Sequence, residues 1–244
     1  QFAVVCDIHG NLPALEVVTA DLKKRAISSV INLGDHLSGP LWPLETARFL
    51  MQQNWMQIAG NHDRWLVNRP PEEHGLSDGY AYRNLGETEL AWLKSLPAEL
   101  HLENGAFLFH GAPGSMSTYL LESISNGRLT LASPLEISSR LADTAAPLLL
   151  CGHTHKARVV QLAGGALVVN PGSVGLPAYS DNTPVEHVSE SGSPHTRYAV
   201  LEENEQGWSV ELITLMYDYQ AAAAQARCNE RPDWELGLLT GFMR

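Results

Sequence analysis

Five short motifs carry side chains able to hold a metal ion or move a proton. They are Asp7-Ile8-His9-Gly10-Asn11, Gly34-Asp35, Gly60-Asn61-His62-Asp63, His110-Gly111 and Gly152-His153-Thr154-His155. Each follows a short apolar run that reads as a β-strand. In open α/β sheets the carboxyl ends of the strands share one edge, so motifs far apart in the chain can converge in one crevice. With His62 set aside, they offer two Asp, one Asn and four His: Asp7, Asp35, Asn61, His9, His110, His153 and His155. This mixed oxygen and nitrogen set suits divalent transition metals, and it lacks the thiolates of a structural zinc site. Seven ligands are too many for one tetrahedral ion and fit two ions that share a bridge. His153 and His155 flank Thr154 in a segment that reads as extended, which predicts both imidazoles on one side. Taken singly, each motif is an ordinary turn sequence. Their order, each after a strand, is what distinguishes them.

The elements that must position these motifs are legible from periodicity. Phe2 to Cys6 reads as a buried strand. Asn11 and Pro13 then cap and open a helix that carries Leu12, Leu15, Val18 and Leu22 inward. The unit recurs with a strand over Ser29 to Leu33, a helix over Pro43 to Gln53 and a strand over Trp55 to Ala59. Strands separated by helices of this length predict parallel pairing. Further helices are expected over Gly86 to Leu96, and after Ser133-Pro134 with Leu135 and Leu141 inward; Ala106 to Phe109 is another strand. Pro70 to Tyr82 has no period and reads as a surface loop, as does the polar stretch Ser180 to His195. From Leu148 onward, short apolar runs divided by turn residues predict a second, largely β layer: Leu148 to Cys151, Arg158 to Leu162, Ala166 to Val169, Tyr198 to Leu201 and Ser209 to Leu215. Tyr219 to Cys228 and Asp233 to Phe242 read as helix. No linker divides the chain, and the expectation is a single domain over residues 1–244.

The chain has 244 residues, 44% of them hydrophobic, enough for a substantial core. Its formal net charge of −11 repels a polyanion at long range, so no nucleic-acid polymer is expected as partner. A small phosphorylated substrate remains compatible, because metal cations act within a pocket while surface charge is screened beyond roughly 10 Å. No apolar run approaches the roughly 20 residues of a membrane span, and the start does not resemble a signal peptide. With only Cys6, Cys151 and Cys228, widely spaced, a cytoplasmic, reduced chain without membrane association is expected; a homo-oligomer is compatible.

The order Asp-x-His, Gly-Asp, Gly-Asn-His, His, Gly-His-x-His resembles the calcineurin-like metallophosphoesterase superfamily over about residues 2 to 175. Asn170-Pro171-Gly172-Ser173-Val174-Gly175 resembles a loop of its small bacterial and archaeal phosphodiesterase branch. The resemblance implies a mixed α/β fold: a two-sheet β sandwich flanked by helices, in four αββα layers. It implies that Asp7, His9 and His155 hold one ion, that Asn61, His110 and His153 hold the other, and that Asp35 bridges them. His62 is then a catalytic residue outside the ligand set. Two divalent ions, Mn first and Fe, Zn, Ni or Co as alternatives, are the implied cofactors; they turn a shared water into hydroxide that attacks the phosphate in line. The expected activity is phosphodiester hydrolysis on small or nucleotide substrates. Phosphomonoester or dinucleoside polyphosphate hydrolysis is the alternative on the same metals, and a non-catalytic scaffold is the alternative of another class.

One departure stands out. The protein phosphatases of the superfamily carry Gly-Asp-x-x-Asp-Arg-Gly, whereas this chain has Gly34-Asp35-His36-Leu37-Ser38-Gly39-Pro40. The Asp that orients the catalytic His and the Arg that grips phosphate are missing from that motif. Asn11, His36, Arg64, Arg83 and Tyr179 read as solvated surface residues, Trp65 and Trp92 as core or interface, and His74, His101, His187 and His195 receive no function. The Asn170 to Gly175 turn could offer backbone N–H groups to an anion.

Overall fold

The structure, a computed structural model, describes residues 1–244. In chain order its first half contains β1 (Phe2–Val5), α1 (Leu12–Lys24), β2 (Val30–Asn32), α2 (Pro43–Met51), β3 (Met56–Gln57), α3 (Asn61–Asn68), α4 (Leu76–Asn84), α5 (Glu87–Ser95), β4 (Glu99–His101) and β5 (Ala106–Phe109). There follow β6 (Glu122–Ser125), β7 (Arg128–Leu131), α6 (Pro134–Leu141), β8 (Leu148–Leu150), β9 (Arg158–Gln161) and β10 (Leu167–Asn170). The chain closes with β11 (Ala178–Asp181), β12 (His187–Glu190), β13 (Thr196–Asn204), β14 (Gly207–Leu215), α7 (Tyr219–Cys228) and α8 (Pro232–Thr240).

Two five-stranded sheets form the sandwich, ordered β14-β13-β1-β2-β3 and β4-β5-β8-β10-β9. The first three strands pair in parallel, as do β5, β8 and β10. Period-two alternation sorts the side chains between layers. Val4, Cys6, Ile31 and Leu33 of the first sheet meet Leu108, Leu148, Leu150 and Val169 of the second in one buried cluster. The alternate residues Ala3, Val5 and Val30 face outward onto Leu15, Val18 and Leu22 of α1, with Ala222 and Ala226 of α7 and Leu238 of α8. Phe107, Phe109 and Leu149 likewise pack on Ile137 and Leu141 of α6. Helices therefore cover both outer faces, giving the expected four layers.

Several details differ from the sequence reading. The strands after Leu148 do not build one separate layer: β8 to β10 extend the second sheet, while β13 and β14 return to pair with β1 in the first. A third, four-stranded sheet, β11-β12-β7-β6, is additional. It includes β12 inside the stretch read as a long polar loop, where His187, Val188 and Ser189 are buried. Pro70 to Tyr82 is not a plain loop but contains most of α4. Its Gly and Pro residues lie at the helix entrance and on a close-packed face, so they hide the helical period. Leu135 points outward, 80% exposed, and Ile137 takes the inner position on α6. Asn11 is fully buried: its side chain accepts from Ala14 N–H as the α1 cap and donates to Gly175 O at 2.8 Å and Tyr217 Oη at 3.0 Å. No helix is long and apolar enough to cross a membrane.

Leu108 is fully buried between the two sheets, and its truncation leaves a cavity that the flanking strands can collapse only in part. Leu108→Ala should cost about 2–5 kcal/mol in denaturant unfolding, whereas Leu135→Ala should stay within about 0.5 kcal/mol.

Candidate metal centre

All five motifs stand at the carboxyl ends of parallel strands. Asp7 follows β1, Asp35 follows β2, Asn61 follows β3, His110 follows β5, and His153 with His155 follows β8. Three ends belong to one sheet and two to the other, so the site straddles the sandwich at one rim. Backbone hydrogen bonds stitch the loops together: Asp7 N–H to Gly34 O, His9 N–H to Asp35 O, and Gly152 N–H to His110 O.

The loops turn sharply. Asp7, His9, Asp35, His153 and His155 all have φ between 51° and 68°, the left-handed region. For a non-glycine residue that conformation costs on the order of 1 kcal/mol, and such residues cluster where function fixes the backbone. The extended reading of His153 to His155 is thereby corrected. The imidazoles converge because both residues turn left-handed, not because they alternate along a strand. Gly60 permits a close approach, since a Cβ there would lie 2.1 Å from Asp35 Oδ1.

Each ring is held by one nitrogen. Nδ1 of His9, His110 and His155 donates to the backbone carbonyls of Ser38, Leu33 and Leu176 at 2.7, 2.8 and 2.6 Å. Nε2 faces inward: 3.2 Å separates His9 Nε2 from His155 Nε2, and 3.2 Å separates His110 Nε2 from Asp35 Oδ2. Burial disfavours charge on His110, but Asp35 and Asp7 outweigh it and raise that ring to about 9. His155 Nε2 lies 3.5 Å from Asp7 Oδ1. The ligand atoms of Asp7, His9 and His155 lie within 4.8 Å of one another, and so do those of Asp35, His110 and His153.

These residues fit a pair of cations. Both carboxylate oxygens of Asp7, Asp35 Oδ2, Asn61 Oδ1 and His110 Nε2 are buried with no hydrogen-bond partner. Such groups are costly unless something compensates them. Burial lowers the His9 imidazole to about 4 and His153 to about 3, and holds His155 well below its ordinary range, so all three are neutral at pH 7, the form in which an imidazole can bind a metal. Burial and nearby Asp35 push Asp7 up to about 7, against the opposing effect of His110. Asp35 is also penalised by burial, yet His110, His62 and His9 hold it well below the usual carboxylate range. Cys6 Sγ also lies near Asp7 and His110, and burial with both Asp side chains raises its thiol well above normal.

Beside the cluster, His62 opens the first turn of α3 and donates its backbone N–H to Asp35 Oδ1 at 3.0 Å. Its Nδ1 lies 2.7 Å from Asp78 Oδ1 on α4, and Ser38 Oγ donates to the same carboxylate at 2.6 Å. Burial disfavours the charged ring, but Asp35 and Asp78 outweigh it and raise His62 to about 9. The orienting Asp missing from the Gly34-Asp35 motif is therefore supplied by another element. No local signal announced it, because Asp78 lies in the stretch whose helical period was masked.

Asp63, the last residue of the Gly60-Asn61-His62-Asp63 motif, has a structural part that its sequence position alone does not assign. Its Oδ2 accepts from Asp35 N–H and Gly60 N–H, both at 2.8 Å, its Oδ1 accepts from His36 N–H at 3.0 Å, and His36 Nδ1 lies 2.7 Å from Oδ2. One carboxylate thus joins the β2 and β3 loops. Its place as the third residue of a helix that starts at Asn61, where carboxylates commonly cap the entering backbone, was a usable clue. His36 is fully buried, and Arg64 donates to the Lys94 and Leu96 carbonyls, so neither is a solvated residue. The N–H groups of Val174 and Gly175 donate to Cys6 O and Asp7 O, which makes that segment a strut under β1 and leaves those groups unavailable to an anion.

The centre opens into a cleft of about 990 Å³. Tyr119 and Tyr179 line its far wall, with ring centroids 4.8 Å from His153 and 4.7 Å from His155. Tyr119 Oη donates to His187 Nε2 at 2.8 Å, which gives the buried His187 a structural role. Trp234 of α8 closes another side, 6.0 Å from the His9 ring.

A sequence model described as the calcineurin-like phosphoesterase superfamily domain matches residues 1–190. The chain belongs to that superfamily. It is 23% identical over 259 aligned positions to the uncharacterised protein MJ0912 of Methanocaldococcus jannaschii, covering 96% of this chain and 95% of that protein. Among solved structures, a metallophosphoesterase from Sphaerobacter thermophilus is similar with a TM-score of 0.75, 22% identity, and coverage of 99% and 98%. Protein PH1004 from Pyrococcus horikoshii OT3 is similar with a TM-score of 0.73, 18% identity, and coverage of 100% and 99%. This phosphoesterase superfamily member shares their fold across nearly its whole length, including the C-terminal helix that walls the cleft.

If the cluster holds cations, Mn²⁺ at 100 times its dissociation constant should stabilise the wild-type protein by about 2.7 kcal/mol. Asp7→Asn should abolish that gain while unfolding no earlier than the wild type when both are metal-free, because it removes a repelling buried carboxylate. Differential scanning fluorimetry with and without chelator reads both effects.

Proposed function

We propose that this hydrolase is a phosphodiesterase acting on small or nucleotide phosphoesters through a dimetal centre. The observation that carries the reading is the group of buried, unpartnered Asp, Asn and His ligand atoms beside the His62–Asp78 pair in one open cleft. Asp7, His9 and His155 would hold one divalent ion, Asn61, His110 and His153 the other, with Asp35 between them. Mn is the first expectation for both sites, with Fe, Zn, Ni or Co also suited to such ligands. When bound, the ions supply Lewis acidity, lowering the pKa of a water and drawing charge from the phosphate oxygens.

The chain's own groups do the rest. The backbone carbonyls of Ser38, Leu33 and Leu176 fix the tautomers of three imidazoles, so their lone pairs stay aimed inward. Asp78 accepts the Nδ1–H of His62 and leaves Nε2 as the ring atom available to substrate. With a carboxylate partner favouring the protonated ring, Nε2 offers its hydrogen to a phosphoryl oxygen. It then passes that proton to the departing oxygen as the bond from phosphorus to the leaving group breaks. Asp78 is a positioning residue, acting through His62.

Diesters are favoured over monoesters by two features. The cleft, at about 990 Å³, is large enough for a phosphate that carries two substituents. Of the guanidinium groups lining it, Arg140 and Arg231 are already engaged by carbonyl and carboxylate oxygens, and the third, Arg69, is stacked on Trp65, which stands between it and His62.

Rates on bis(p-nitrophenyl) phosphate should exceed those on p-nitrophenyl phosphate with Mn²⁺ added; the reverse order would move the assignment to phosphomonoesters. His62→Ala should lower kcat by about 10²- to 10⁴-fold. Asp78→Asn should lower kcat less and leave KM nearly unchanged, since it disturbs orientation only. If Asn61→Ala and His62→Ala both retain full turnover, the activity arises elsewhere.

A further inference from the structure

Arg69 is the cation of the cleft that nothing in the fold employs. It follows the last residue of α3, and its guanidinium carbon lies 4.1 Å over the Trp65 ring, which itself packs edge-on at 4.7 Å from His62. The other cleft guanidiniums are engaged: Arg140 by the Leu120 and Glu122 carbonyls, Arg231 by Asp233 and Ser77. Arg69 has no such carboxylate or carbonyl partner. The nearby mouth carboxylates are also occupied, Asp181 by Thr183 N–H and Asp233 by Arg231.

Asn61, Trp65 and Arg69 recur at four-residue spacing, so they lie along one helix face that runs from the metal-ligand cluster to the cleft mouth. Side chains of a helix lean toward its N-terminus, and the Arg69 guanidinium accordingly lies on Trp65, one ring away from His62. Stacking on Trp65 fixes the guanidinium plane while its N–H groups stay free at the rim, and planar guanidinium forks match phosphate oxygens. One face of Trp65 is covered by this cation and is thereby closed to a stacking base. In a chain of net charge −11, an unpaired cation at the entrance is also the feature that most eases approach of a phosphorylated molecule.

We infer that Arg69, seated on Trp65, forms an anion subsite for a second phosphate of the substrate. The preferred substrates are therefore esters or anhydrides whose reacting phosphate is followed by another one, as in dinucleoside polyphosphates, over simple diesters. This rests on the dimetal phosphoesterase reading and refines its substrate class.

The test pairs kinetics with a binding measurement that needs no turnover. In Mn-loaded protein, Arg69→Gln should raise KM for diadenosine tetraphosphate about tenfold, with kcat within about twofold, and leave bis(p-nitrophenyl) phosphate unaffected. In metal-free protein labelled with ¹⁵N, the Arg69 Nε–H resonance, assigned by its loss in Arg69→Gln, should shift saturably with millimolar inorganic pyrophosphate. Equal effects on both substrates, no effect on either, or an Arg69 resonance indifferent to pyrophosphate each overturn the subsite. If the wild-type protein hydrolyses neither compound, the phosphoesterase proposal fails, while the pyrophosphate titration still decides the subsite.

Discussion

Two carboxylates lie inside this protein with oxygens that no donor reaches, and most of the architecture around them follows from that condition. Asp7 is fully buried with both oxygens unpartnered, and Asp35 has one oxygen in the same state. Isolated burial of such charges costs several kcal/mol each, and like charges this close repel as well. The surrounding imidazoles compensate only in part, because burial keeps three of them neutral. A pair of multivalent cations would balance the assembly in a way that no rearrangement of its own side chains does.

Holding that arrangement requires a rigid backbone. Five of the cluster residues adopt left-handed conformations, and the loops carrying them come from both sheets. The cross-loop hydrogen bonds, the Asp63 carboxylate and the strut from Ser173 to Gly175 under β1 hold them in register. The imidazoles of His9, His110 and His155 are further fixed through the nitrogen that does not face the centre. Rigidity at the ligands therefore derives from the packing of the sandwich: the strands cannot slide without breaking the apolar contacts between the two sheets.

Charge acts at two ranges. The net charge of −11 repels extended polyanions, while the cluster and the nearby cationic groups act within a few ångströms. The cluster opens into a cleft of about 990 Å³. Its walls come from elements with no ligand of their own: the third sheet supplies Tyr179, the loop before β6 supplies Tyr119, and α8 supplies Trp234. The Asp, Asn and His cluster and the walls are thus separate contributions, the first of a chemistry suited to holding cations.

The sequence alone determined the strand-end motifs, the cap of α1, the alternation of strand and helix in the first third, and the shared chemical character of the cluster. These are local signals: a strand followed by a tight turn with Asp, Asn or His needs no distant partner to be recognised. Tertiary structure decided what depends on neighbours far along the chain. β13 and β14 rejoin the first sheet, β12 lies within a polar stretch, and α4 carries Asp78 to His62 across 16 residues. Asn11, His36 and His187, polar residues with every local reason to be solvated, are buried because distant partners satisfy their hydrogen bonds. Even the convergence of His153 and His155 was legible only as a pairing; the left-handed turns that achieve it follow from how Gly152 and the β1 loop pack against each other.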